Sequence, residues 1–109
     1  MKANEFIKKV GWDGTKRVIG LTIGNSWADH YSIEDDSIGT AGTIYSKKLC
    51  EHNDNFVCLR SLKRLVESHE LVESYGGVKN ATFFTHSGFD YAEQLRLRQA
   101  ILDVESCNA

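Results

Sequence analysis

The side chains best suited to acid–base chemistry near neutral pH are the four histidines, His30, His52, His69 and His86. None lies in a catalytic motif, since the sequence has no HExxH, no phosphate-binding GxxxxGKS or GxxxxGKT and no GxSxG. His69 falls between Leu65 and Val72 on the apolar stripe of a predicted helix, so we interpret it as a core or half-buried histidine that makes one hydrogen bond. We predict no catalytic residues and a protein that is not an enzyme.

The cysteines raise the question of a metal site. Cys50, His52 and Cys58 lie close together in sequence, and Cys107 is the third cysteine. Their spacing matches no paired zinc knuckle, and no fourth ligand is evident. An odd number of cysteines without an export signal favours reduced thiols over a disulfide framework. We predict no metal and no cofactor, and zinc is the less favoured alternative.

The distribution of charge argues against a strongly basic nucleic-acid binder. The net charge is −2, with +3 in residues 1–20, −4 in residues 21–58 and −1 in residues 59–109. Residues 71–85 have the order of a helix-turn-helix, yet Lys79 is the only basic residue in 78–90. A recognition helix needs donors for phosphates and base edges, so a nucleic-acid-binding regulator is the alternative rather than the first hypothesis.

The length and composition are typical of one small globular domain, spanning residues 1–109. No segment approaches the roughly 18 apolar residues of a membrane span, and no apolar segment of signal-peptide type follows Lys2. We therefore expect a cytoplasmic protein that has no membrane-spanning segment. We divide the chain into N-terminal helices (1–20), a variable loop or hairpin region (21–58) and a helical core (59–109).

The clearest element is an amphipathic helix in the segment SLKRLVESHELVESYGG, from Ser61 to Gly77. Ser61 can cap its start, and Gly76 and Gly77 can adopt the left-handed conformation in which helices end. The apolar stripe is formed by Leu62, Leu65, Val66 and Val72.

The remaining elements have weaker signals. Two short helices, 3–10 and 14–19, are separated by Gly11, although Val18, Ile19, Leu21 and Ile23 would also suit a strand. The acidic run after Ser32 favours a helix start. Thr43–Ser46 and Phe56–Cys58 favour strands. A last helix runs from about Asp90 to Ser106 with two apolar faces, so we expect it to pack between the Ser61 helix and the N-terminal helices. We expect Phe83, Phe84 and Phe89 to fill the space between the two long helices. The prediction is a mainly α fold of about four helices with a small β-hairpin or a long ordered loop, and α+β is the alternative.

Two surface patches are candidates for binding another protein. The first combines aromatic and acidic residues in the region 21–58: Trp27, Tyr31, Glu34, Asp35 and Asp36. The second lies on the far side of the Ser61 helix, at Arg64, Leu71 and Tyr75. Aromatic and aliphatic side chains among charges have the composition of a small interface, although packing within the chain explains them equally well.

Three blocks of the sequence resemble small accessory proteins of lambdoid phages and prophages of enteric bacteria: MKANEFIKKVGWDG, LKRLVESHELVESYGG and LRQAILDVES. The resemblance covers about half of the chain and leaves out residues 21–58 and 83–89. It implies a role inside a bacterial host cell, as a protein that binds and inhibits a host or defence protein, for example an anti-CRISPR, or that tunes gene expression. The resemblance carries over no catalytic residues, and the oligomeric state stays open.

Overall fold

A computed structural model describes residues 1–86 and 91–108 of the chain. These residues form five helices and one small sheet, in the order α1 (Ala3–Gly20), β1 (His30–Ser32), β2 (Ser37–Gly39), α2 (Thr43–His52), β3 (Phe56–Cys58), α3 (Leu59–Ser74), α4 (Val78–Phe84) and α5 (Tyr91–Cys107). The predicted mainly α class with a small hairpin is confirmed. No described helix has both the length and the hydropathy of a transmembrane span.

The chain folds as two compact units, Met1–Lys63 (unit 1) and Arg64–Ala109 (unit 2). Unit 1 contains α1, the sheet, α2 and the start of α3. Unit 2 contains the rest of α3 together with α4 and α5. The single domain inferred from the sequence stays a prediction.

Gly11 divides α1 into the two short helices that the sequence predicts. Its φ of +80° and ψ of 173° are not helical, and glycine tolerates this conformation because it has no Cβ. The hydroxyl of Thr15 donates to the carbonyl oxygen of Gly11 at 2.8 Å, which holds the break in place. Both parts of α1 contribute to the core of unit 1, through Phe6, Ile7, Thr15 and Val18.

The sheet is antiparallel, with the strand order β2-β1-β3. Tyr31 at its centre lies opposite Ile38 on β2 and Val57 on β3. The strand predicted at Phe56–Cys58 is confirmed, but the helix expected from Ser32 is wrong, because residues 33–36 form the turn of the β1–β2 hairpin. Asp36 has a φ of +48°, a left-handed conformation that reverses the chain there.

The strand predicted at Thr43–Ser46 is also wrong, because these residues form the first turn of α2. Gly42 precedes the helix with a φ of +85°, and its carbonyl oxygen accepts the N–H of Ser46 at 2.8 Å. The carboxylate of Asp29 binds the backbone just before this turn. These contacts outweigh the β preference of the branched residues.

The amino group of Met1 closes the C-terminal end of α2. It donates to the carbonyl oxygens of Cys50 at 2.6 Å, Asn53 at 3.1 Å and Phe56 at 2.9 Å. Carbonyls in the last turn of a helix have no donor within the helix, and the negative end of the helix dipole favours a cation. The first residue is thereby connected to α2 and β3.

The helix predicted at Ser61–Gly77 is confirmed, although α3 begins at Leu59 and ends at Ser74. Gly76 and Gly77 have φ values of +95° and +106°, and the N–H of Gly77 donates to the carbonyl oxygen of Val72 at 3.1 Å. This is the expected glycine termination of a helix. All four residues of the predicted stripe are buried: Leu62, Leu65, Val66 and Val72.

The last helix forms as predicted, but only one of its two apolar faces is covered. The buried side consists of Leu97, Ala100, Ile101, Asp103, Val104 and Cys107. The other face, at Tyr91, Leu95 and Leu102, is exposed and is covered by no element of the described residues. Phe83 is exposed instead of filling the space between α3 and α5. Phe89 and the capping residue Asp90 lie outside the described residues.

Candidate interaction surfaces

The loop between α1 and β1 presents two large apolar side chains to solvent. Ile23 is 82% exposed and Trp27 is 55% exposed. Burying an aromatic or aliphatic side chain of this size contributes about 1.5–3 kcal/mol when it is removed from water. The loop therefore has unused apolar surface, and one of its members is the predicted binding residue Trp27.

Consecutive turns hold this loop in a defined conformation. The N–H groups of Ile23, Asn25 and Ala28 each donate to the carbonyl oxygen three residues earlier, at 3.2, 2.8 and 3.1 Å. Side chains add two further hydrogen bonds to the end of α1, from Thr22 Oγ1 to Ile19 at 2.7 Å and from Asn25 Nδ2 to Leu21 at 3.2 Å. The apolar side chains are thus presented on an ordered segment.

Tyr31, which we expected beside Trp27 on the surface, is only 4% exposed. Its ring contacts Phe6 edge to face, with 5.9 Å between the ring centroids. Its hydroxyl donates to Asp36 Oδ1, and Arg17 Nη2 lies 2.8 Å from the same oxygen. Tyr31 is therefore part of the core, and its hydroxyl serves to fix the hairpin turn.

The contacts within this cluster shift the pKa values of Asp36 and Tyr31 in opposite directions. The hydrogen bond from Arg17, followed by that from Tyr31, lowers the pKa of Asp36 below 3.8. Burial, and then the hydrogen bond to Asp36, raises the pKa of Tyr31 above 10.0. Asp36 is therefore ionised and Tyr31 is protonated at neutral pH, which is the combination that the hydrogen bond requires.

The other two residues of the acidic run lie exposed in the hairpin turn. The N–H of Glu34 donates to Asn55 Oδ1 at 2.8 Å, and Asp35 Oδ2 accepts the hydroxyl of Ser32 at 3.3 Å. The carboxylate of Glu34 takes part in neither hydrogen bond. The acidic run thus forms a solvated turn.

Asp29, which the sequence analysis did not select, organises the loop before α2. Its carboxylate accepts the N–H groups of Ala41 at 3.1 Å and Gly42 at 3.0 Å, and the hydroxyl of Thr40 at 3.2 Å. Burial opposes ionisation of Asp29, but the hydrogen bonds, led by that of His30, hold its pKa below 3.8. No local pattern marks this residue, because its partners lie 11 to 13 positions further along the chain.

Asp29 also holds the ring of His30, whose Nδ1 lies 2.8 Å from Asp29 Oδ1. A carboxylate that orients an imidazole is one component of many catalytic sites. His30 faces Cys58 across the β1–β3 pair, but these two side chains are not joined by any hydrogen bond that the structure describes. A Cβ at Gly39 would lie 2.8 Å from His30 Nε2, so Gly39 provides the space for the ring.

In unit 2, the predicted residue Arg64 is part of an ion pair. Its Nη2 lies 3.1 Å from Oδ1 of Asp103, whose side chain is only 7% exposed. Ser68 Oγ donates to Asp103 Oδ2 at 2.8 Å, and Gln99 Nε2 donates to Oδ1 at 3.1 Å. The buried carboxylate of Asp103 on α5 therefore connects this helix to α3.

The other two residues of the second predicted patch are half-buried. The ring of Tyr75 packs against Phe84 of α4, with 5.3 Å between the ring centroids, and Leu71 is also partly covered. Packing within the chain accounts for much of this apolar surface. Leu71 and Tyr75 therefore offer only part of their apolar surface to a partner, beside the exposed Arg64.

The three cysteines are free thiols, and Cys50 and Cys107 are buried. Burial raises the pKa of Cys50 above 9.0, which keeps this thiol protonated at neutral pH. Within residues 1–86 and 91–108, no group of three histidine, cysteine or acidic side chains could hold a metal ion.

The fold and these surfaces define a small, mainly helical protein with one antiparallel sheet and exposed apolar areas on a loop and on a helix. No protein-family model matches this chain, and no curated protein or solved structure matches it. The resemblance to phage accessory proteins therefore stays a prediction that rests on the three sequence blocks alone.

Proposed function

We propose that this chain is a non-enzymatic accessory protein of a lambdoid phage or prophage that binds a bacterial host or defence protein. Inhibition of a defence system, in the manner of an anti-CRISPR, is the specific role that we propose. The origin in a phage rests on the resemblance of the three sequence blocks. The binding role rests on the loop that presents Ile23 and Trp27.

The single observation that carries the binding role is the exposure of Trp27 on an ordered loop. Tryptophan is among the residues that contribute most to protein interfaces, because it buries a large area with few rotatable bonds. Asn25 and Thr22 fix the backbone of the loop. A loop that is already ordered loses less conformational entropy when it binds.

Affinity capture from a bacterial host lysate tests this proposal. The native chain is compared with Trp27→Ala and with Tyr45→Ala, which removes a comparably exposed aromatic side chain from α2. We expect the same bacterial protein to be captured by the native chain and by Tyr45→Ala, but not by Trp27→Ala. For the purified partner, we expect Trp27→Ala to raise the Kd by about thirtyfold, as for a central interface tryptophan.

Phage plating provides the functional measurement. Expression of the native chain in cells that carry a defence system should raise plating of a sensitive phage, and Trp27→Ala should abolish the effect while Tyr45→Ala retains it. Capture of no bacterial protein, together with unchanged plating on every defence system tested, would exclude the proposal. Equal capture by Trp27→Ala and the native chain would exclude the loop as the binding surface.

A nucleic-acid-binding regulator is the second candidate, favoured by the exposure of all five basic residues of the N-terminal segment: Lys2, Lys8, Lys9, Lys16 and Arg17. The seven-residue α4 after Gly77 has only Lys79 as a basic residue, so the N-terminal segment is the better candidate. A mobility-shift assay at low salt tests this function. Binding should weaken steeply as salt rises, because phosphate contacts release counterions.

A further inference from the structure

The exposed face of α5 carries a regular pattern of side chains. Tyr91 is 71% exposed, Leu95 is 46% exposed and Leu102 is 60% exposed. Arg98 and Glu105 are exposed on the same face. The five positions 91, 95, 98, 102 and 105 are spaced alternately by four and three residues, which is the spacing of the contact positions in a two-stranded coiled coil. We call these five residues the α5 stripe.

The α5 stripe lies opposite the side of the helix that is already anchored. The buried side includes Asp103 with its bonds to Arg64 and Ser68 of α3. The helix therefore does not need the stripe in order to fold. Two leucines and a tyrosine at coiled-coil spacing form more exposed apolar surface than the solvent-facing side of a helix usually carries.

The two charges of the stripe point to its occupant. Arg98 and Glu105 form no ion pair with any residue that the structure describes. They are seven residues apart, about 10 Å along the helix axis, which is too far for them to pair with each other. An antiparallel second copy of α5 would supply the missing partner to both of them.

We propose that the α5 stripe is the contact surface of a homodimer, in which the α5 helices of two copies pack antiparallel. The two-fold axis crosses the helices at the level of residue 100 along their length. In this arrangement Arg98 of one copy lies against Leu102 of the other. Side chains lean towards the N-terminus of their own helix, so Arg98 and Glu105 of opposite copies lean towards each other. Symmetry produces this ion pair twice. Both copies of Leu102 are covered between the pairs, and each Leu95 lies against Glu105 of the other copy.

Sedimentation equilibrium of the full chain tests the dimer. We expect the native chain to self-associate reversibly, and Leu102→Lys to be monomeric at every concentration because it places a second cation against Arg98 of the other copy. Arg98→Glu and Glu105→Arg should each raise the dimer Kd about tenfold or more, since each reversal opposes two like charges at both ends of the contact. Arg96→Glu, an exposed position of α5 outside the stripe, is the matched control and should leave the Kd unchanged.

Mixing the two charge-reversal variants is the decisive measurement. Arg98→Glu carries two acidic residues in its stripe and Glu105→Arg carries two basic residues, so the antiparallel heterodimer restores every pair. We expect the mixture to associate at least as tightly as the native chain, while each variant alone is largely monomeric. Circular dichroism controls for folding, because all of these side chains are exposed and helicity should not change.

Three results would overturn the proposal. A native chain that is monomeric at all concentrations tested would exclude a homodimer through the α5 stripe. A dimer that Leu102→Lys does not weaken would use another surface. A dimer that is weakened by the charge reversals but not restored by mixing them would exclude the antiparallel arrangement.

Discussion

The two units of this protein expose apolar side chains on different kinds of element. In unit 1, Ile23 and Trp27 belong to a loop, and side-chain hydrogen bonds at Thr22 and Asn25 fix its backbone. In unit 2, Leu95 and Leu102 belong to a helix that is already regular through its own backbone hydrogen bonds.

This difference determines what each surface can recognise. An irregular loop presents side chains in one arrangement that does not repeat, which suits a partner with a matching surface of its own. A helix face repeats every turn and can be matched by an identical helix in the opposite direction. The loop is therefore suited to a different protein, and the helix face to a second copy of the same chain.

The buried carboxylate of unit 2 gives the largest expected effect on stability. Asp103→Ala removes the acceptor of Ser68, Gln99 and Arg64, and we expect the free energy of unfolding to fall by about 3 kcal/mol, because all three partners lose a charged hydrogen-bond acceptor in a largely covered site. Urea denaturation measures this change. Glu67→Ala, at an exposed position of α3, is the control and should cost less than about 0.5 kcal/mol.

Hydrogen exchange on the Asp103→Ala variant sharpens the comparison between the units. If the contacts of Asp103 stabilise unit 2 in particular, amides of α5 exchange faster while those of β1 keep their protection. Equal acceleration in both units would show that they unfold together. A loss of stability no greater than that of Glu67→Ala would contradict the buried network itself.

The corresponding polar centre of unit 1 is Asp29, and its removal should have a smaller effect. Asp29→Ala removes the acceptor for Ala41, Gly42 and Thr40, and we expect a loss of about 2 kcal/mol because these groups are nearer to solvent and water can replace part of the carboxylate. Asp54→Ala, at an exposed aspartate between α2 and β3, is the matched control. Thermal unfolding of both variants measures the difference, and equal midpoints would exclude a capping role for Asp29.

The pH dependence of this effect has a definite sign. The pKa of Asp29 is lower in the folded protein than its ordinary value of 3.8. Its contribution is therefore present above pH 3.8 and is lost as the pH falls through the lower, folded-state pKa. The stability difference between the native chain and Asp29→Ala should accordingly be constant near neutral pH and shrink in acid.

Local signals explain which parts of the fold could be predicted. The end of α3 is encoded by Gly76 and Gly77, and the break in α1 by Gly11, each within the segment that it shapes. The strand predicted at Thr43–Ser46 is wrong because Asp29, fourteen or more positions earlier, fixes the loop that precedes it. No local pattern carries that information.

The exposure of the candidate binding residues could be predicted only in part. Trp27 could be selected by its residue type. The burial of Tyr31 could not be predicted, because it follows from the central place of this residue in the sheet, and the β2 strand of that sheet is only three residues long. The periodicity of α5 predicts both of its apolar faces. It does not determine which face is covered, because that depends on the elements that pack against Leu97 and Ala100, and Leu102 lies on the face that they leave open.

The smallest effect is expected at the hairpin turn, where Arg17 pairs with Asp36 on the surface of unit 1. Arg17→Ala should raise the pKa of Asp36 towards its ordinary 3.8, because the hydrogen bond from Arg17 is the main cause of its lowering and that from Tyr31 remains. An NMR titration of the side-chain carboxyl measures this shift, and Lys16→Ala, at the exposed neighbour, should not reproduce it. Since a lowered pKa stabilises the fold only above that pKa, Arg17→Ala and the native chain should converge in stability as the pH falls below 3.8. An unchanged pKa in Arg17→Ala would mean that the hydrogen bond from Tyr31 alone lowers the pKa of Asp36.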